Sequence, residues 1–341
     1  SVKLSALHPR YEYAQRAAVL GRLGPQLESL ATQAMQAGVA LTVDAEEADR
    51  LELSLELFDR LLAAPALAGY GGLGLAVQAY QKRAPDVLRW LARRADEAGR
   101  QVNVRLVKGA YWDAEIKRAQ ERGLAGYPVF TRKPGTDVCY LACARRLLAA
   151  RDVVFPQFAT HNAHTLATVL AMAGPAFRPG DYEFQCLHGM GEPLYEEVVG
   201  PGRLDRPCRI YAPVGTHETL LPYLVRRLLE NGANSSFVNR IGDPAVPAEA
   251  LIADPVAEAR AIRPVGAPHP RISLPRALFP DRANSAGVDL TDEQRLARLA
   301  EALAASAQRR EEVAPILATP MPLPAGARRA LCNPADRRDI V

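Results

Sequence analysis

Short apolar runs and stretches of helical spacing take turns along the first 240 positions of the chain, the pattern of strands alternating with helices. Positions 2–7 predict an opening strand that runs into His8-Pro9. Over 11–38 the residues Val19, Leu20, Leu23, Leu27, Leu30 and Met35 recur at helical spacing, and Gly38 supplies the stop. A second strand over 39–43 ends in Asp44. Glu46 and Glu47 then open a helix that continues through Leu62, with carboxylates at its positive end. A third strand covers 73–80, and Pro85 starts a helix through Ala98. Val102, Val104, Leu106 and Val107 mark a fourth strand, whose exit carries Lys108, Gly109, Tyr111 and Trp112.

The alternation continues with longer inserts. Helices are predicted over 114–123, 137–151, 163–172 and 218–231, an irregular loop over 127–134, and strands over 153–159, 182–187 and 209–214. Polar residues gather where the strands end. This order favours an α/β fold of the (β/α)8 TIM-like barrel type, with its site at the C-terminal strand ends; an open doubly wound sheet is the structural rival. Beyond Arg240 the prolines 244, 247, 255, 264, 268, 270, 275 and 280 predict a linker over 241–283. A helix over 290–307 follows, with Thr291 as its N-cap and Glu293 in its first turn.

Composition narrows the class. Hydrophobic residues are 48% and charged residues 23% of 341, ordinary globular values that exclude wholesale disorder. The net charge of +4, from 42 cations mixed among 38 carboxylates, does not suggest nucleic acid. No apolar run approaches the roughly twenty residues of a membrane span. Five scattered cysteines suit a reducing compartment. With no signal-like segment, a cytoplasmic protein is expected. The first residues read as mid-strand and the last as the start of something further, so a piece of a longer chain is expected too.

The strand ends offer Lys3, Asp44, Gln78, Arg105, Lys108, His161, Asn162, Gln185 and Tyr211. Amides, cations and an aromatic suit an anionic, planar, hydrogen-bonding ligand. A paired-carboxylate acid/base site is not in view, because Asp44 is the main acidic residue at these ends. No glycine-rich fingerprint follows the first strand, which speaks against a Rossmann nucleotide site. Tyr223, Arg226, Arg227 and Glu230 share one helix face by their spacing. Arg226 and Arg227 side by side suit a carboxylate clamp; a solvated face with an Arg226 to Glu230 pair is the other reading. His161 and His164 lack a third metal ligand, so no metal site is predicted. Cys139 and Cys143 read as core. Lys108 is a candidate Schiff-base lysine, but alternation puts it on the strand face opposite Arg105.

Several long stretches carry a resemblance. Arg105-Leu106-Val107-Lys108-Gly109-Ala110-Tyr111-Trp112-Asp113, Tyr127-Pro128-Val129-Phe130-Thr131-Arg132-Lys133, Phe158 to Thr165, Gln185 to Pro193 and Arg209 to Asn239 resemble the proline dehydrogenase domain of bacterial bifunctional proline utilization A flavoenzymes. The likeness covers essentially the whole chain. Residues 1–240 resemble the catalytic barrel, and Asn284 to Leu290 with Asn333 to Arg338 resemble the join to an aldehyde dehydrogenase half, so 284–341 is expected to begin that half.

The resemblance implies a distorted barrel that binds FAD without a covalent bond and oxidises L-proline to Δ1-pyrroline-5-carboxylate. Electrons would pass to membrane quinone, which implies a peripheral place at the inner membrane. Lys3, Arg226 and Arg227 match the cations that hold the proline carboxylate. Tyr111, Leu187, Tyr211 and Tyr223 match the box around the ring, Asp44 matches a site acid beside Lys3, and Arg105 matches the arginine near flavin N5. The positions matching the FAD-lining motifs are Gln78, Val107, Gly109, Ala110, Trp112, Thr131, Arg132, Lys133, His161, Asn162, Gln185, Leu187, Glu230, Ser236 and Phe237. The family's upstream helices, any DNA-binding segment and the upstream acid that pairs with an active-site arginine have no counterpart here. Hydride transfer from the carbon beside nitrogen asks mainly for positioning, which agrees with the scarcity of carboxylates. Other readings are a dehydrogenase of hydroxyproline or pipecolate, a Lys108 Schiff-base lyase, and a catalytically silent interaction module.

Overall fold

Six parallel strands pair in chain order to form one sheet: β1 (Leu41–Val43), β2 (Leu73–Gln78), β3 (Val102–Val107), β4 (Val154–Ala159), β5 (Glu183–Leu187) and β6 (Cys208–Tyr211). In the computed structural model the described residues are 1–232, 237–241, 243–309, 312–318 and 329–340, the backbone alone for 230–232 and 238–239. Parallel strands need both faces covered. Every residue of β2 is accordingly buried, and on β3 Val102, Val104 and Leu106 are fully buried while Arg105 lies between them on the opposite face.

The helices are α1 (Leu4–Leu7), α2 (Arg16–Gln36), α3 (Leu51–Ala63), α4 (Ala84–Glu97), α5 (Trp112–Glu121), α6 (Lys133–Ala149), α7 (Ala163–Ala173), α8 (Glu192–Glu196), α9 (His217–Gly232), α10 (Phe237–Ile241), α11 (Ala248–Leu251), α12 (Pro255–Ala261) and α13 (Glu293–Ser306). The apolar stripes of α2, α3, α4 and α6 join the strands in one core that includes Leu23, Leu27, Phe58, Leu91, Cys143 and Leu147. The sheet curls into a barrel-like half-cylinder. Its curl brings the ends of its first and last strands together, because Tyr211 of β6 donates a hydrogen bond to Asp44, just past β1, at 3.0 Å.

Four expectations change. The opening strand shrinks to one parallel bridge, Val2 to Val43, followed by the helical turn α1; the Ser5 N–H donates to Glu46 Oε1, which ends the ladder. The last strand stops at Tyr211, ahead of Pro213, which has no N–H to continue it. Helix α6 begins at Lys133 because Pro134 suits a first turn. Asp292, not Thr291, caps α13, accepting from the N–H groups of Gln294 and Arg295.

The chain divides into compact units Ser1–Gly287 and Val288–Val341. Residues 241–283, expected as a linker, therefore lie within the first unit. Tyr127 donates to the Ser273 carbonyl at 2.5 Å, the Asn284 amide donates to the Gln120 carbonyl at 3.4 Å, and the Gly287 N–H donates to the Gly123 carbonyl at 3.0 Å. Prolines here set the path between short helices: Pro247 precedes α11 and Pro255 opens α12.

Gly109, at the exit of β3, has φ +135°, and a Cβ there would fall 2.5 Å from the Tyr80 ring. Tyr80 is buried, so the ring cannot swing away. Gly109→Ala should lower the free energy of unfolding by about 1–3 kcal/mol in urea denaturation; an unchanged midpoint would contradict this packing.

Candidate active site

Arg105 stands at the centre of the barrel interior. Its place on β3, between Ala76 of β2 and Gln157 of β4, aims the guanidinium across the sheet. Nη1 donates to Asp44 Oδ1 at 2.5 Å, Nε to Gln185 Oε1 at 2.8 Å and Nη2 to Ser1 Oγ at 2.8 Å. Both members of the ion pair are buried. Tyr211 completes the cluster, its ring centroid 5.1 Å from the guanidinium carbon and its hydroxyl on Asp44 Oδ2. Burial, with Asp44 beside it, pushes the Tyr211 hydroxyl pKa far above the usual tyrosine value, so it stays a donor. Asp44 thus accepts on both oxygens and orients its neighbours; it is not a free base. Its N–H donates to the Val2 carbonyl, which sets it beside Lys3.

A second cluster forms around Tyr111. Lys3 Nζ donates to the Tyr111 hydroxyl at 3.0 Å, and the Arg226 guanidinium lies 5.6 Å from the centroid of the same ring. Arg227 lies 5.4 Å from the Tyr223 ring, one helical turn before it on α9. His161, after β4, accepts the Leu187 N–H on Nε2 at 3.0 Å. Burial and then the nearby Arg227 charge pull the His161 pKa down to about 4, so its imidazole is neutral at ordinary pH. Lys3, Tyr111, Arg226, Arg227, Tyr223, His161 and Leu187 are thereby tied into local clusters at the strand ends.

Other predicted site residues make internal contacts. Gln78 is buried and donates to the Glu46 carbonyl at 2.7 Å. Trp112 opens α5 and donates to the Phe130 carbonyl at 2.8 Å. Asn162 caps α7 by accepting from the Thr165 N–H. Thr131 accepts from the His269 N–H, and Arg132 donates to the Ala267 and Pro268 carbonyls, which fastens their loop to the proline-rich segment. Lys133 pairs with Asp137 and, with Asn162 and Phe237, lines a polar cleft that also includes Arg240 and His164. Val107 and Gly109 are partly exposed and Ala110 is exposed; Gly109 answers to the Tyr80 ring. Ser236 and the Glu230 side chain lie outside the described residues.

Lys108 points the other way from Arg105. It pairs with Asp137 on α6, and burial pulls its amine pKa below the ordinary lysine value against that partner. A lysine committed to a carboxylate on a helix outside the sheet is poorly placed as an interior nucleophile. Among the described residues no group of three or more His, Cys, Asp or Glu side chains is arranged for a metal ion.

Sequence reasoning missed Glu183, Gln157 and Glu46. Glu183 is buried on β5 and accepts from Gln157, Gln185 and, twice, from Arg209. Period-two spacing with Gln185 and Leu187 was the available signal. Glu46 accepts from Ser5 N–H and Arg50 while its carbonyl holds Gln78, a junction only the fold creates.

The low His161 pKa fixes a proton count. At pH 5 the unfolded imidazole is protonated and the folded one is not, so stability is full above about pH 6.5 and falls as pH drops toward 4. Calorimetric unfolding near pH 5 should take up about one proton more in the wild type than in His161→Gln; equal uptake would contradict a buried neutral imidazole.

Comparison with known proteins shows the family. The family profile described as proline dehydrogenase matches residues 1–240. The bifunctional protein PutA of Salmonella typhimurium is 56% identical over 349 residues, covering 100% of this chain and 26% of that protein. The PutA of Rhizobium meliloti is 60% identical, with 100% and 28% coverage. A crystal structure of Bradyrhizobium japonicum proline utilization A, mutant D779W, superposes with a TM-score of 0.85 at 56% identity over 89% of this chain and 31% of that one. The chain spans about a quarter of the length of the curated relatives it matches. On the match over residues 1–240 and the shared barrel, this chain belongs to the proline dehydrogenase family.

Proposed function

We propose that the chain oxidises L-proline to Δ1-pyrroline-5-carboxylate with FAD, the first step of proline breakdown. The observation that carries this reading is the convergence of Lys3 and Arg226 on Tyr111 at strand ends that also hold the Arg105, Asp44 and Tyr211 cluster. Cations at one side and aromatic rings at the other suit a small ring bearing a carboxylate. The donor set fits FAD as well. Arg105, Gln78 and Gln185 supply buried hydrogen-bonding groups, and His161, Asn162, Lys133, Trp112 and Phe237 gather at the strand ends and the adjoining cleft.

FAD, once bound, supplies the acceptor for the hydride that leaves the carbon beside the ring nitrogen. The chain's own residues do the positioning. Lys3, Arg226 and Arg227 bind the carboxylate, each charge-assisted bond contributing about 1.5–3 kcal/mol. Tyr111, Leu187, Tyr211 and Tyr223 enclose the ring and exclude water. Asp44, engaged on both oxygens, holds Arg105 and Tyr211 in place. Arg105 would present a fixed positive charge to the bound flavin and so favour its reduced, anionic form.

Electrons then pass to a membrane quinone, and the product passes to an aldehyde dehydrogenase half that begins within 284–341. The protein works from the cytoplasm, peripheral to the inner membrane; among the described residues no helix is long and apolar enough to cross a membrane.

Purified protein should show a flavin absorbance spectrum that bleaches when L-proline is added without oxygen. Arg226→Ala and Arg227→Ala should keep the flavin and raise KM for proline by about 10- to 100-fold. Colourless protein that takes up no FAD would overturn the reading, as would bleaching by pipecolate or hydroxyproline in place of proline.

A further inference from the structure

Arg105 and Glu183 face the same glutamine from opposite sides, and their chemistry leaves that glutamine a single orientation. Arg105 Nε donates to Gln185 Oε1 at 2.8 Å, and Gln185 Nε2 donates to Glu183 Oε1 at 2.8 Å. A guanidinium is donor-only and a carboxylate acceptor-only, so the Gln185 amide, which has both, joins them in line only with its oxygen toward Arg105 and its nitrogen toward Glu183. We propose that Glu183 is a positioning residue for Arg105: its charge fixes the polarity of the Gln185 amide and thereby the acceptor that holds Nε.

Three further observations support this role. Glu183 is itself buried and held by a bidentate fork from Arg209, Nε to Oε1 at 2.8 Å and Nη2 to Oε2 at 2.9 Å, so the carboxylate cannot turn. It also receives Gln157 Nε2 at 2.9 Å. That bond leaves Gln157 Oε1 buried without a hydrogen-bond partner. An amide accepts such an orientation only when the alternative, an oxygen against a carboxylate, is worse. The Glu183 charge therefore governs both glutamines. Gln157 is the β4 partner of Arg105 and Glu183 is the β5 partner of Gln157, so this polarity is set at the floor of the site.

Glu183→Gln removes the rule, since an amide at 183 can donate or accept and Gln185 can reverse. Glu183→Gln with Gln185→Glu restores it, because a carboxylate at 185 accepts from Arg105 whichever way it turns. The Arg105 Nε–H resonance in ¹⁵N-edited spectra, assigned through Arg105→Lys, reads the bond directly and needs neither FAD nor turnover. Its exchange with water should be about tenfold faster in Glu183→Gln and return toward the wild-type rate in the double variant. The kinetic arm rests on the proposed proline oxidation: kcat should fall about tenfold with KM little changed, and recover in the double variant. An Arg105 Nε–H exchange rate indifferent to Glu183→Gln would overturn the proposal, as would a double variant that does not fold or does not recover. Wild-type protein inactive on proline, with the resonance behaving as described, would instead count against the proposed function alone.

Discussion

A buried ion pair, Arg105 with Asp44, is the constraint from which the rest of the site follows. Neither side chain can shed its charge cheaply inside the barrel, so each must be fully engaged. Asp44 meets that demand with Arg105 and Tyr211, and Arg105 with Asp44, Gln185 and Ser1. These bonds join β3 and β5 to the ends of β1 and β6. The same contacts that neutralise one guanidinium therefore curl the sheet and place a tyrosine over the cation. Isolated removal of one partner from such a pair typically costs about 3–5 kcal/mol.

The consequence for chemistry is a site with few groups free to move protons. Asp44 is occupied, His161 is neutral and accepts a backbone N–H, and Lys108 is held by Asp137. What remains are fixed charges and rings: Lys3 and Arg226 against Tyr111, Arg227 against Tyr223. Such an arrangement favours binding and orienting an acid beside a redox partner over acid/base hydrolysis. The proline-rich stretch extends the positioning outward, because Ala267, Pro268, His269 and Ser273 bind the loop that carries Tyr127, Thr131 and Arg132.

Much of this was legible in the chain. Periodicity alone gives the strand and helix alternation from β1 to α9, and alternation on β3 separates Arg105 from Lys108. Helical spacing on α9 puts Tyr223 under Arg227. Other features were not legible, for local reasons. The opening strand is cut short by a carboxylate forty-one positions away, Glu46 on Ser5 N–H. Gly109 is required by the Tyr80 ring, a contact between separate strand exits. Proline counting marks 241–283 as linker because prolines break long elements, whereas two short helices and hydrogen bonds to distant carbonyls decide that the segment packs.

Arg105 and Asp44 depend on each other inside the barrel, a coupling that can be measured. A double-mutant cycle in urea tests it, using Arg105→Met, Asp44→Leu and the two together. Each single change leaves a buried charge alone and should cost about 3–5 kcal/mol, while the double variant should be more stable than the sum of the two by well over about 1 kcal/mol. Additive losses, with no coupling between the two positions, would contradict it.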